Sequence, residues 1–227
     1  MIRIAERTGP APFLPEGVAF CGCDFRLDGT SPAPDLPALP ASLARAVPKR
    51  QAEFLAGRYC AGRAIERLTG SRAEVPIRPD RSPAWPDGLT GSITHGEGYA
   101  AAVAAPASLH AGLGLDYETV MPADRAGSLR DLIVTAAELA LAPHGMAFAS
   151  FLTLAFSAKE ALYKAIYPRL RLFMDFHAAE ITACAPGAIT LSISPDRYPA
   201  LRDLTPSSSF GVRYVFVDDG VLTFLAI

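Results

Sequence analysis

Charge is scarce in this chain and neither sign prevails. Charged residues make up 19% of the sequence, with 21 Lys and Arg against 23 Asp and Glu, a formal net charge of −2. A disordered chain would be strongly charged and poor in apolar residues, whereas 50% of these 227 residues are hydrophobic. A pI of about 6.1 excludes a globally basic nucleic-acid binder, so no nucleic-acid partner is expected. Cysteine is also sparse. Cys21 and Cys23 are one residue apart, and Cys60 and Cys184 stand alone. Without a C-x-x-C pair, neither a structural zinc site nor an oxidising compartment is expected. An apolar leader is missing too: Arg3, Glu6 and Arg7 are followed by Pro10 and Pro12. No signal peptide is expected, and the expected location is cytoplasmic. Residues 139–158 lack Asp, Glu, Lys and Arg, yet Pro143, His144 and Gly145 interrupt them. That stretch reads as a helix–turn–helix with buried faces, not as a membrane span.

A chain of this size buries roughly 70% of its unfolded surface, enough for one large domain or two small ones. Pro32, Pro34, Pro37, Pro40 and Pro48 make residues 31–48 a loop with at most a short helix inside. Residues 49–68 read as one long helix stopped by Gly70. Runs at 89–95, 99–105 and 111–119 read as strands. A helix is expected over about 128–142, with Thr135 and Glu138 at capping-box spacing. A second long helix is expected from Phe148 to Tyr167, ended by Pro168. Strands follow near 178–184, 187–194, 210–217 and 220–226, with Asp219-Gly220 as a hairpin turn. This order predicts an α+β fold, divisible into halves 1–110 and 111–227.

Four segments carry the chemistry. On the 49–68 helix, at about 100° per residue, Phe54, Ala61, Ile65 and Leu68 share a stripe with Arg50 and Arg58, while Arg63 lies opposite. A guanidinium on an apolar face needs an anion or a carboxylate. It is either a phosphate clamp or an internal ion pair. The segment 77–95 delivers Arg78 and Arg81 and then a strand ending in Thr94-His95. That is a candidate anion-binding rim, or a structural His. In G-L-G-L-D-Y-E, Asp116 and Glu118 share one strand face. Paired carboxylates repel unless a cation neutralises them, and hard oxygen ligands suit Mg²⁺. The plainer reading is a solvated strand face. In F-S-A-K-E-A-L-Y-K, Glu160 and Lys164 lie i,i+4. They form either a surface ion pair or, with Asp116 and Glu118, part of a metal site.

In order and spacing, A-E-F-L-A-G-R, W-P-D-G-x-x-G-S-I-T-H, G-L-D-Y-E, F-S-A-K-E-A-L-Y-K-A and F-M-D-F resemble the 4′-phosphopantetheinyl transferases. The resemblance is to the surfactin-synthetase-activating type, in the branch of the enterobactin synthase component D. It spans residues 50–176. It implies two similar α+β halves in a pseudo-twofold monomer, with coenzyme A at the seam. It also implies Mg²⁺-dependent transfer of phosphopantetheine from coenzyme A to a serine of an apo acyl or peptidyl carrier protein, releasing 3′,5′-ADP. Such carriers serve siderophore, polyketide or other secondary metabolism. By motif, Asp116, Glu118 and Glu160 would hold Mg²⁺, and Arg50, Arg58, Arg78, Thr94 and His95 would contact the phosphates of coenzyme A. Lys159 and Lys164 would border its pyrophosphate. Arg78 and Arg81 compete for one position of the family pattern. The resemblance makes Glu160, Lys164 and Asp116 the catalytic set. Leu115, Phe156 and Gly96 depart from the family pattern without touching that chemistry. The competing readings are a non-catalytic binding module for coenzyme A or carriers, and a metal-dependent nucleotide phosphohydrolase. Residues 146–156 are a candidate carrier-docking segment.

Overall fold

Pro48 opens, and Gly70 closes, the helix expected over 49–68. It spans Pro48–Thr69 (α1), and Gly70 caps it in the left-handed conformation at φ 78°. A side chain at Gly70 would strain that backbone, which is why glycine stops the helix there. The computed structural model describes residues 2–7, 13–27, 35–171, 173–203, 205 and 207–227. They divide into two units, Met1–His110 and Ala111–Ile227.

In the first unit, β1 (Ile2–Glu6), β2 (Ala19–Leu27), β3 (Leu89–His95) and β4 (Tyr99–Pro106) form an antiparallel sheet in the order β1-β2-β4-β3. Helix α1 packs on this sheet through Ala52, Ala56, Gly57, Cys60, Ala61, Ala64 and Ile65. These small residues let the helix lie close: a Cβ on Gly57 would stand 2.9 Å from Ile93 Cγ2. The buried stripe is therefore centred away from Phe54 and Leu68, which are only half-buried on its flank. Cys21, Cys23 and Cys60 are buried free thiols, with Cys60 Sγ 3.3 Å from Cys23 Sγ. They pack as small apolar side chains. Of the 31–48 loop, Pro32 and Pro34 lie outside the described residues, as do Pro10 and Pro12. The rest of that loop holds a single 3₁₀ turn, Ala41–Leu43.

In the second unit, β5 (Leu113–Thr119), β6 (Ala179–Ala185), β7 (Ala188–Ile193), β8 (Ser209–Val217) and β9 (Gly220–Ala226) form a sheet in the order β5-β9-β8-β7-β6, all antiparallel. Helices α2 (Ala123–Ile133), α3 (Ala136–Leu139) and α4 (Phe148–Leu170) complete it. The α+β class is as the sequence predicts. Four details differ. The helix expected over 128–142 is two, because Val134 is extended (φ −135°, ψ 151°) and Thr135 starts α3 with a formed capping box. Pro168 lies inside α4, in its last turn, where only one helical hydrogen bond is forfeited. The helix ends instead at Arg171 in the left-handed conformation. The β8–β9 turn is Asp218-Asp219, since Val217 pairs with Gly220, and Asp218 carries the positive φ of 54°. Finally, Phe151, Leu152 and Leu154 of the 146–156 segment are core residues, which leaves Phe148, 39% exposed, as the large apolar side chain that the segment presents. Among the described residues no helix is long and apolar enough to cross a membrane.

Candidate active site

The carboxylate cluster begins with two glycines. A Cβ on Gly114 would come within 1.9 Å of Ala161 O, and one on Gly112 within 2.2 Å of Ala165 O. Only glycine allows strand β5 to run this close against α4. The strand then carries Asp116 and Glu118 on one face and Tyr117 on the other, where Tyr117 covers Gly220. On α4, Ser157, Glu160 and Lys164 follow at i, i+3 and i+7, which is one helix face.

Asp116, Ser157 and Lys164 meet, and Glu118 and Glu160 lie near enough to feel the Asp116 charge. Lys164 Nζ donates to Asp116 Oδ1 at 2.6 Å and to Leu115 O at 3.2 Å. Its ion pair therefore runs across to β5 and not along the helix to Glu160. Ser157 Oγ donates to Asp116 Oδ2 at 2.8 Å, and Ser157 Oγ lies 2.9 Å from Thr223 Oγ1 on β9. Asp116 is buried, at 3% exposure. Burial, then the nearby Asp116 charge, push the Glu118 carboxyl up to about 7. The same two causes raise Glu160. Three carboxylates thus crowd around Lys164, with Arg125 the other cation acting on Glu118, and Glu118 and Glu160 hold their protons more tightly than ordinary carboxyls. Among the described residues, no three of His, Cys, Asp and Glu stand close enough, as placed, to hold a metal ion. Even so, the all-oxygen donor set and its surplus charge suit a hard divalent cation.

Lys159, assigned with Lys164 by motif, goes elsewhere. Its Nζ donates to Glu138 Oε1 at 2.7 Å and to Ile133 O at 2.8 Å, with both side chains 2% exposed. Glu138 also accepts from the Ile181 and Thr135 amides. Burial alone would raise Glu138, but these hydrogen bonds hold it below the ordinary carboxylate range. Burial lowers Lys159. A cavity of about 250 Å³ opens beside Glu160, lined mainly by apolar side chains including Tyr163, Phe173, Met174 and Phe176.

In the first unit, Arg50 Nη1 lies 2.9 Å from His95 Nε2 and 3.5 Å from Glu53 Oε2. Arg58 stacks on Phe54 at 4.9 Å. Its Nε is buried without a hydrogen-bond partner among the described residues. Burial, then the Arg50 charge, pull it down to about 10. Both departures from an ordinary arginine are what a bound anion would relieve. Arg58 also lines a cavity of about 320 Å³ with Asp35, Arg72 and Glu74. Thr94 is buried on β3. Arg78 is tied into its own loop by a hydrogen bond to Pro83 O. Arg81, at φ 70°, is exposed at the tip of that loop. The structure thus gathers Arg50, Arg58 and His95 about α1, and Asp116, Glu118, Glu160 and Lys164 about β5 and α4. Sequence reading gave no site role to Glu53, Ser157 or Thr223, and it found Glu138 as a helix cap but not as the partner of Lys159. The i,i+3 spacing from Arg50 could have found Glu53. Thr223 has no local signal.

A family profile described as "4'-phosphopantetheinyl transferase N-terminal domain" matches residues 39–105. Another, described as "4'-phosphopantetheinyl transferase superfamily", matches residues 112–213. The chain is similar to enterobactin synthase component D of Salmonella typhi, at 40% identity over 148 residues, 65% of this chain and 61% of that protein. It is similar to the 4'-phosphopantetheinyl transferase Svp of Streptomyces mobaraensis, at 38% over 161 residues, 67% and 62% of the two chains. Enterobactin synthase component D of Salmonella typhimurium (strain LT2) is 34% identical over 179 residues, 78% of this chain and 72% of that one. The chain spans less than two thirds of the length of the first two of these relatives.

Proposed function

Because the chain belongs to the 4′-phosphopantetheinyl transferase superfamily, we propose that it transfers 4′-phosphopantetheine from coenzyme A to a serine of an apo acyl or peptidyl carrier protein. The observation that carries this reading is the surplus of carboxylates at Asp116, Glu118 and Glu160 around the single Lys164. In the reaction, the serine Oγ bonds to the pantetheine phosphorus, the pyrophosphate P–O bond breaks, and 3′,5′-ADP leaves. Asp116, Glu118 and Glu160 would hold Mg²⁺, which when bound supplies positive charge to the pyrophosphate oxygens. Glu160, with its proton affinity raised by burial and by Asp116, is suited to accept the serine proton. Lys164 holds Asp116 in place and offers positive charge to the departing phosphate. Arg50, Arg58, Thr94 and His95 would bind the phosphates at the nucleotide end, with exposed Arg81 better placed to reach a ligand than loop-bound Arg78. Lys159 drops out of the phosphate set, because its ammonium already has two partners. The apolar cavity beside Glu160 suits the uncharged pantetheine arm. The enzyme would act as a monomer in the cytoplasm, where coenzyme A is kept. Carriers of siderophore assembly are the first to try, given the relatives named enterobactin synthase component D.

The test is to incubate the protein with coenzyme A, Mg²⁺ and several apo carriers, and to weigh the carriers by mass spectrometry. A phosphopantetheine adduct that disappears with chelator is the expected result. Coenzyme A binding with no adduct on any carrier would instead indicate a binding module. Release of 3′,5′-ADP without a carrier would indicate a phosphohydrolase.

A further inference from the structure

Behind the Asp116 carboxylate lies a pair of hydroxyls that the motifs do not account for. Thr223 faces Asp116 across the β5–β9 ladder, and the superfamily profile match ends at residue 213, before this strand. Thr223 and Ser157 are both 0% exposed. Buried hydroxyls on a catalytic strand and helix need a hydrogen-bonding reason to be there, since an apolar side chain of the same shape would pack without desolvation cost.

The proton count gives that reason. An ionised Asp116 only accepts. Ser157 must therefore spend its one O–H on Asp116 Oδ2, 2.8 Å away. That leaves Ser157 Oγ, 2.9 Å away, as one of three acceptors that compete for the single Thr223 O–H. The Thr223 hydroxyl also lies 3.0 Å from Ser157 O and 3.4 Å from Asp116 O, so it is held between the strand and the helix. With Lys164 on Oδ1, each carboxylate oxygen has a fixed protein donor. The torsion that turns a carboxylate is broad and has little preference of its own. These donors set it.

We propose that Thr223, acting through Ser157, is a positioning residue that fixes the plane of the Asp116 carboxylate for cation binding. This rests on the reading of Asp116 as a metal ligand. The test uses the full chain with coenzyme A, and Mn²⁺ as the probe. Binding is read from the electron paramagnetic resonance signal of free Mn²⁺, alongside the Mg²⁺ dependence of carrier modification. Thr223→Val keeps the side chain's shape and exchanges only the hydroxyl for a methyl group. It is expected to weaken Mn²⁺ binding about 10- to 100-fold, the usual effect of removing a group that orients a metal ligand, and to raise the Mg²⁺ needed for half-maximal rate by a similar factor. Thr223→Ser should restore both. Ser157→Ala should weaken Mn²⁺ binding at least as much, and it carries the test if Thr223→Val does not fold. A Thr223→Val protein that melts earlier but binds Mn²⁺ like the wild type overturns the proposal, as does failure of Thr223→Ser to rescue. If the wild type binds no Mn²⁺, or Asp116→Asn binds it unchanged, the metal reading falls and takes this proposal with it.

Discussion

The two lysines of F-S-A-K-E-A-L-Y-K sit five residues apart on α4 and meet opposite circumstances. Lys159 finds one carboxylate, Glu138, in a closed pair with both side chains 2% exposed and backbone groups filling the remaining bonds. Lys164 finds Asp116, with Glu118 and Glu160 close enough to be pushed up by the Asp116 charge, and it is itself 29% exposed. A pair that is already neutral and saturated has no need of a ligand. A cluster with negative charge to spare, open to water on one side, does. Charge balance at each lysine, more than its place in a motif, separates the saturated pair from the cluster proposed to react.

The sharpest way to break this contrast is to remove the cation from each side in turn. Lys159→Met leaves Glu138 buried without its counter-ion and should cost about 3–5 kcal/mol of stability. The same substitution at Lys164 should cost clearly less, because water reaches the open cluster. Urea denaturation of both variants is the check, and equal losses would remove the distinction. The next largest effect is on activity. Asp116→Asn should cut carrier modification by more than about 100-fold, since even groups behind a metal ligand are worth 10- to 100-fold. Circular dichroism should show the fold intact, and retained turnover would exclude the cluster as the reactive site.

Much of this contrast was already legible in the sequence, and the part that was not has a physical cause. Asp116 with Glu118, and Glu160 with Lys164, are local patterns of period 2 and 3.6, so strand and helix spacing places each pair on one face. The helix α1 and strands β3 to β9 were legible for the same reason, with Gly70 and the prolines as punctuation. The break at Val134 was not, because nothing in its side chain forbids a helix and the capping box of Thr135 competes with continuing one. The fate of Lys159 was hidden because Glu138 is 21 positions away. Thr223 was hidden because it meets Asp116 across 107 positions, through strand register alone.

Titration should reveal the two sites with opposite signs. Glu138 is held below the ordinary carboxylate range. Its contribution is complete above that range and lost as pH falls through its own lower value. Glu118 runs the other way. Its folded value is about 7 against an ordinary 4.5, so the fold retains a proton that the unfolded chain releases. In chelator, stability from this group is present below 4.5 and declines as pH rises from 4.5 to about 7. Thermal melts across this range should show both limbs. Glu138→Gln should flatten the acid limb and Glu118→Gln the neutral one. A cluster whose neutral limb survives Glu118→Gln would mean that its excess charge lies elsewhere.

The smallest effect tests whether saturation alone, without burial, makes a closed site strong. Glu6 in the first unit accepts from Tyr59, Arg63 and Arg67 at 2.7, 2.6 and 2.8 Å. Burial would raise its carboxyl, but the Tyr59 and Arg63 hydrogen bonds hold it below the ordinary range, so it too loses its contribution as pH falls. It is as fully bonded as Glu138, but its arginines are 33% and 39% exposed. Water competes for those partners, so Glu6→Gln should cost only about 0.5–1.5 kcal/mol. Salt should shrink that loss further, because exposed charges are screened. Unfolding free energies at low and high salt decide the point. A loss as large as that of Lys159→Met would show that partner count, not exclusion of water, sets the strength of a closed site, and the contrast along α4 would then rest on charge surplus alone.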